Sequence, residues 1–325
     1  MDRRESILAL IAVGAAAVSS RALAQTQPVR RIGLLQPNDA FPILETAFRK
    51  RLAALGWVEG KNLVIEYRHA DSRNERMPAL AAELVALKVE VIVTNATPGT
   101  LAAKAATSTI PIVFTLVSDP VGSGAVASLG RPGGNVTGIA NLAGEIAPKQ
   151  LELLKDLLPK LQRVAFMRDP SVPGPGTMTK GLQSAAERAG LALVIIDVRT
   201  AEEIEPAFAT AVRERATAMI MAPTSMYATQ AARIAELAQK HRIATAFQAR
   251  RSVAAGGLVS YGADGIDGYS RTAVYVDKIL RGAKPGDLPV EQADRFVTII
   301  NKSTAKALGI TIPQSVLVRV DEVIE

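Results

Sequence analysis

Three acids, Asp119, Asp169 and Asp264, and two threonines, Thr97 and Thr224, follow apolar, β-branched runs, at the strand ends where open α/β sheets gather ligand contacts. An acid there has three uses: it pairs with an ammonium group, caps a helix, or serves in proton transfer. Thr97 with Pro98 reads as a helix start, where a hydroxyl and free backbone N–H groups favour a carboxylate at the positive end of the helix dipole. Thr224 and Ser225 repeat that chemistry later in the chain. The strand-end segments are small and polar or acidic: 36–39, 95–98 and 118–120 in the first half, and 168–170, 224–227, Gln248 and 261–264 in the second.

Other chemistries are poorly supplied. There is no cysteine, which removes thiol nucleophiles, thiolate metal sites and disulfides. The two histidines, His69 and His241, sit just past a strand and at a helix end, so both read as surface residues rather than bases. No metal site and no cofactor is expected. Gly122-Ser123-Gly124-Ala125-Val126-Ala127 fits a loose dinucleotide pattern but follows the fourth strand instead of the first. These glycines read as turn formers, joined by a short helix.

The elements that must carry these residues follow from periodicity. Strands are expected at 31–36, 62–67, 89–94, 110–117 and 135–141, alternating with helices at 42–55, 77–87 and 97–107. After a helix at 148–158 the series restarts: strands 163–170, 192–198, 218–222, 243–248 and 257–262 alternate with helices 177–189, 201–216 and 229–241. Runs such as Val91-Ile92-Val93 are apolar on both faces, as in a parallel sheet covered by helices on both sides. The fold class is therefore α/β, with two doubly wound parallel-sheet lobes and a cleft between them. A helix at 268–281 and a tail from 295 have no counterpart in a tandem array, so the chain is expected to recross at 142–148, at 262–268 and near Asn301. Lobe 1 is assigned 25–145 plus about 265–298, and lobe 2 is assigned 146–264 plus about 299–325.

In the 325 residues, 48% are hydrophobic and 21% charged, which excludes a disordered chain. Aromatic residues make up 4%, too few for a base-stacking platform. The formal charge of +7 is spread among acids, as in Glu152, Lys155 and Asp156, and no nucleic-acid partner is expected. Arg3-Arg4, the apolar run Ile7 to Val18 and Ala22-Leu23-Ala24 form an export signal cleaved after Ala24, by a general secretory or twin-arginine route. The apolar run is too short to span a bilayer of about 30 Å. The mature chain is expected to be a soluble periplasmic monomer.

Arg31 to Leu35, Gly56-Trp57-Val58-Glu59-Gly60-Lys61-Asn62, Ser118 to Gly124 and Arg131 to Gly138 resemble the ABC-transporter substrate-binding proteins of the type I periplasmic fold, in the branch with tryptophan- and tyrosine-binding members. The resemblance spans roughly residues 30 to 320. It implies two lobes joined by three crossovers, a solute in the cleft and delivery to an ABC permease in the inner membrane. It places ligand contacts at Asn38, Thr97, Ser118, Asp119, Asp169, Thr224, Tyr227, Gln248 and Asp264, with Asp264 first for an amine and Thr97 for a carboxylate. The expected function is capture of a small polar solute, an amino acid or related carboxylate, by cleft closure without turnover. The competing readings are a sensory module docking on a receptor kinase, and an α/β enzyme using a nucleotide or an acid pair.

Overall fold

The computed structural model describes residues 29–38, 42–141, 143–172 and 175–325. The expected export signal, Asp39 and Leu142 lie outside the described residues. Lobe 1 is built on β1 (Arg30–Gln36), β2 (Leu63–His69), β3 (Val91–Asn95), β4 (Ile112–Ser118) and β5 (Val136–Asn141), interleaved with α1 (Pro42–Ala54), α2 (Met77–Ala86) and α3 (Ala96–Ala106). Lobe 2 repeats the plan with α4 (Ala143–Leu157), β6 (Arg163–Arg168), α5 (Pro175–Ala189), β7 (Ala192–Asp197), α6 (Ile204–Arg213), β8 (Ala218–Met221), α7 (Ser225–Thr229) and α8 (Ala231–His241). It continues through β9 (Ala244–Phe247), α9 (Arg250–Ala254) and β10 (Val259–Ala263). The chain then returns to lobe 1 as α10 (Gly265–Leu280) and the edge strand β11 (Glu291–Gln292). It ends in lobe 2 with β12 (Phe296–Asn301), α11 (Lys302–Ala307), α12 (Gln314–Leu317) and β13 (Glu322–Ile324).

The two sheets have the orders β11-β5-β4-β3-β1-β2 and β13-β12-β10-β9-β8-β6-β7, so the internal repeat of the sequence is a repeat of topology. Among the described strands all pairings are parallel except β10 with β12, where Val259 faces Ile300. In lobe 1 alternate residues feed opposite apolar layers. Ile32, Leu34, Val91 and Val93 pack toward Phe48, Tyr269 and Val276, while Leu35, Ile92 and Phe114 pack toward Leu80 and Leu84. Burial on both faces is what makes these strands continuous apolar runs.

The Gly-Trp-x-Glu-Gly-x-Asn segment ties α10 to this lobe. Trp57 Nε1 donates to Asp277 Oδ1 at 2.8 Å. Asn62 closes the turn on itself, with Oδ1 accepting from the Val58 N–H at 2.7 Å and Nδ2 donating to the Gly56 carbonyl at 2.9 Å.

Three details depart from the sequence reading. Helix α4 starts at Ala143, so Pro148 lies inside it; having no N–H, that proline leaves the Gly144 carbonyl free of its helical donor. The chain returns to lobe 2 before Phe296 rather than near Asn301. All of β12 pairs with β10, and Asn301 is the N-cap of α11, its Oδ1 accepting from the Thr304 N–H at 2.8 Å. The stretch after β4 contains turns and bends, with no helix, because Asp119, Gly124, Gly133 and Gly134 all take positive φ.

Candidate functional site

A cleft of about 700 Å³ opens between the carboxyl ends of the two sheets. Lobe 1 contributes the end of β3 with the start of α3 (Asn95 to Pro98), Leu116 and Ser118 of β4, and Ile43 and Leu44 of α1. Lobe 2 contributes residues 221–225 around the end of β8, Met178 of α5, and Phe247 to Ser252 from the last residue of β9 into α9. The floor is made by the crossover residues Asn141 and Gly262 to Ile266. Gly262 is required there, because a Cβ would collide with the Gln248 carbonyl.

Six of the nine expected contacts line this cleft: Thr97, Ser118, Thr224, Tyr227, Gln248 and Asp264. Thr97 sits within the first turn of α3, which begins one residue earlier than the sequence pattern indicates, at Ala96 in a left-handed conformation (φ +62°). Thr224 caps α7, its Oγ1 accepting from the Tyr227 N–H at 3.1 Å. The Tyr227 hydroxyl is buried and donates to the Val198 carbonyl at 3.2 Å; burial near Asp169 and Asp197 pushes its pKa up, so only its ring is offered to the cleft. The Gln248 amide joins the lobes, with Oε1 accepting from Asn141 Nδ2 at 3.3 Å and Nε2 beside the Met178 sulfur at 3.7 Å.

Asp264 lines the floor, but its carboxylate is already engaged. Oδ1 accepts from the N–H groups of Ile266 and Asp267 at 2.9 and 3.3 Å, capping α10, and Oδ2 pairs with Arg295 Nε at 3.1 Å.

The other three expected contacts are not among the lining residues, each for a local reason. The buried Asn38 donates to Ser72 Oγ at 3.1 Å inside lobe 1. Asp169 turns back to Ser171, accepting from its N–H at 2.9 Å and its hydroxyl at 2.6 Å. Asp119 stands at the rim, where Oδ1 accepts from the Gly122 N–H at 2.8 Å and Oδ2 accepts from Thr177 Oγ1 of lobe 2 at 2.8 Å. A Cβ on Gly122 would collide with that carboxylate, so the glycine fixes the acid's direction.

The sequence reading missed the arginines of the cleft. Arg250 is held in several hydrogen bonds by Glu322, which also lines the cleft and raises the guanidinium pKa. Burial in the wall lowers the pKa of Arg251. Both arginines open α9 just past the end of β9, so reading three residues past Gln248 would have found them. Apolar lining was also missed: Ile43 and Ile266, 65% and 50% exposed, stand on the lobe 1 side, with Leu44, Leu116, Met178 and Phe247 further in.

The family model described as ABC transporter substrate binding protein matches residues 38–324. A tyrosine-binding protein of Clostridioides difficile (strain R20291) is 30% identical over 284 residues, covering 86% of this chain and 81% of that protein. Among solved structures, a conserved domain protein of Vibrio cholerae superposes with a TM-score of 0.85 at 30% identity, covering 91% of this chain and 99% of the other. An ABC domain from Streptococcus pneumonia in complex with L-Trp gives 0.83 at 28% identity with the same coverage. A ligand-free, open substrate-binding protein with adhesive properties from Clostridium difficile gives 0.68 at 27% identity, again over 91% and 99% of the two chains. Fold, cleft and the match along nearly the whole described chain agree: the chain belongs to the ABC transporter substrate-binding protein family.

Proposed function

We propose that this protein is an exported solute receptor of an ABC uptake system, closing around an amino acid and handing it unchanged to a membrane permease. The observation that carries this reading is a cleft whose polar strand ends come from both lobes while much of its remaining lining is apolar. Such lining suits a ligand with two charged ends and a sizeable apolar side chain, a narrower class than a small polar solute. Thr97, at the start of α3, is the residue proposed to meet the carboxylate, where backbone N–H groups and the helix dipole favour an anion. Ser118, Thr224 and Gln248 supply further hydrogen-bonding groups from both lobes.

Closure is supported by contacts that already cross the cleft, Asp119 with Thr177 and Asn141 with Gln248. It is also supported by the nearer superposition on the L-Trp complex than on the ligand-free, open relative. Driving a lobe equilibrium from 1:99 to 99:1 takes about 5.5 kcal/mol of preference for the closed state. Two or three charged hydrogen bonds of about 1.5 to 3 kcal/mol each, shared between lobes, supply it. Export rests on the arginine-led apolar segment with its Ala-Leu-Ala site. Among the described residues no helix is long and apolar enough to cross a membrane.

A thermal-shift screen of amino acids, organic acids and nucleosides tests the reading. A ligand at 100 times its Kd stabilises the native state by about 2.7 kcal/mol. At least one α-amino acid should raise Tm; a response to nucleosides or sugar acids alone would overturn the assignment.

A further inference from the structure

The hydroxyl of Tyr269, on α10 and fully enclosed in lobe 1, stands between two side-chain amides. It donates to Gln36 Oε1 at 3.1 Å and accepts from Asn95 Nδ2 at 2.8 Å. Burial pushes its pKa up to about 12, so it remains a neutral O–H at ordinary pH. A phenol has one proton. With that O–H donated to the Gln36 carbonyl, only lone pairs face Asn95, so the Asn95 amide turns its NH₂ inward and its carbonyl outward.

Asn95 ends β3 and lines the cleft. Its Oδ1 has no hydrogen-bond partner among the described residues and, unlike Gln36 Nε2, is not sealed from solvent. An acceptor is thus presented to the cleft two residues from Thr97. Ala96 between them is held at φ +62°, a left-handed conformation that is strained for a residue with a Cβ. Acceptor and anion-favouring helix start lie side by side, matching the two ends of a zwitterion.

We propose that Asn95 Oδ1 receives the ligand's α-ammonium group and that Tyr269 is the positioning residue that fixes the amide's polarity. The inference rests on the amino-acid reading above. It moves the amine from Asp264, whose oxygens are taken by the α10 cap and Arg295, to a neutral acceptor.

Titration calorimetry with the proteinogenic L-amino acids singly, and with the deaminated counterpart of the tightest binder, tests it. Asn95→Leu should weaken the amino acid by about 10- to 100-fold, the loss of one charged hydrogen bond, and leave the deaminated acid within about 3-fold. Asn95→Asp keeps an acceptor and should hold the amino acid near wild-type affinity. Tyr269→Phe frees the amide to turn and should narrow the preference for the amino acid over its deaminated form.

Equal binding by Asn95→Leu and wild type would overturn the proposal. So would equal losses for both ligands, which would make Asn95 merely structural. Abolition by Asn95→Asp would show that the amide instead presents its NH₂ to the carboxylate. If wild type binds no α-amino acid, the functional reading itself fails, a result distinct from these three.

Discussion

Asp264 and Asp119 show how far a strand-end acid can be committed before any ligand arrives. Asparagine caps helices as well as aspartate, so Asp264→Asn should leave Tm nearly unchanged, whereas Asp264→Ala should cost about 1 kcal/mol in denaturant unfolding. Equal losses for both would mean that the Arg295 ion pair, not the cap, holds this corner. Asp119 joins the lobes through Thr177, so Thr177→Val should favour the open form and weaken ligand a few-fold, with a larger radius of gyration in solution scattering of the free protein. An unchanged radius and affinity would show that this bond has no share in closure. The strand ends were legible as a cleft, yet side-chain direction was not. Asn38 and Asp169 turn to Ser72 and Ser171 inside their own lobes, and only the Asp-x-Ser spacing of 169–171 hinted at such a turn.

Alternating strands and helices were readable because parallel strands buried on both faces leave unbroken valine and isoleucine runs. What escaped were joints where one residue breaks the pattern. Pro148 looked like a helix start and lies inside α4, and the Gly144 carbonyl it leaves without a donor is where Gly181 of α5 packs. A Cβ at position 181 would collide with that backbone oxygen. Gly181→Ala should therefore force α4 and α5 apart at a cost of about 1 to 3 kcal/mol, read from denaturant unfolding. Because α4 begins at the first crossover, ligand affinity should fall as well; wild-type stability would show that the helix pair yields freely. Two of the segments that carry the family resemblance, 56–62 and 131–138, are scaffold, whereas Ser118 of a third lines the cleft. Trp57 braces α10, and Asn135 Nδ2 holds the Thr107 and Ile110 carbonyls at 3.0 and 2.8 Å. The family was therefore clearer in the sequence than its ligand contacts were.

Across the whole molecule the two sheets and their crossovers divide the tyrosines between the lobes, and the pKa of every one of the five is raised, with burial the largest cause. A phenol whose folded pKa lies above its unfolded value adds stability that is complete below about pH 10 and lost as pH rises through the folded value. Stability should therefore fall between pH 10 and about 12, and at pH 10 the folded protein should show less tyrosinate absorbance than the half-ionised signal of free tyrosine. A half-ionised signal with intact circular dichroism would contradict the burial described for these side chains.

The molecule as a whole is two similar lobes that share one cleft, and the function proposed for it is reversible capture of an amino acid without chemistry. Native mass spectrometry of the protein equilibrated with the proteinogenic amino acids distinguishes capture from turnover. A one-to-one complex is expected whose added mass is that of an unmodified amino acid, recovered intact on denaturation; no adduct, or release of a product of different mass, would rule the proposed function out.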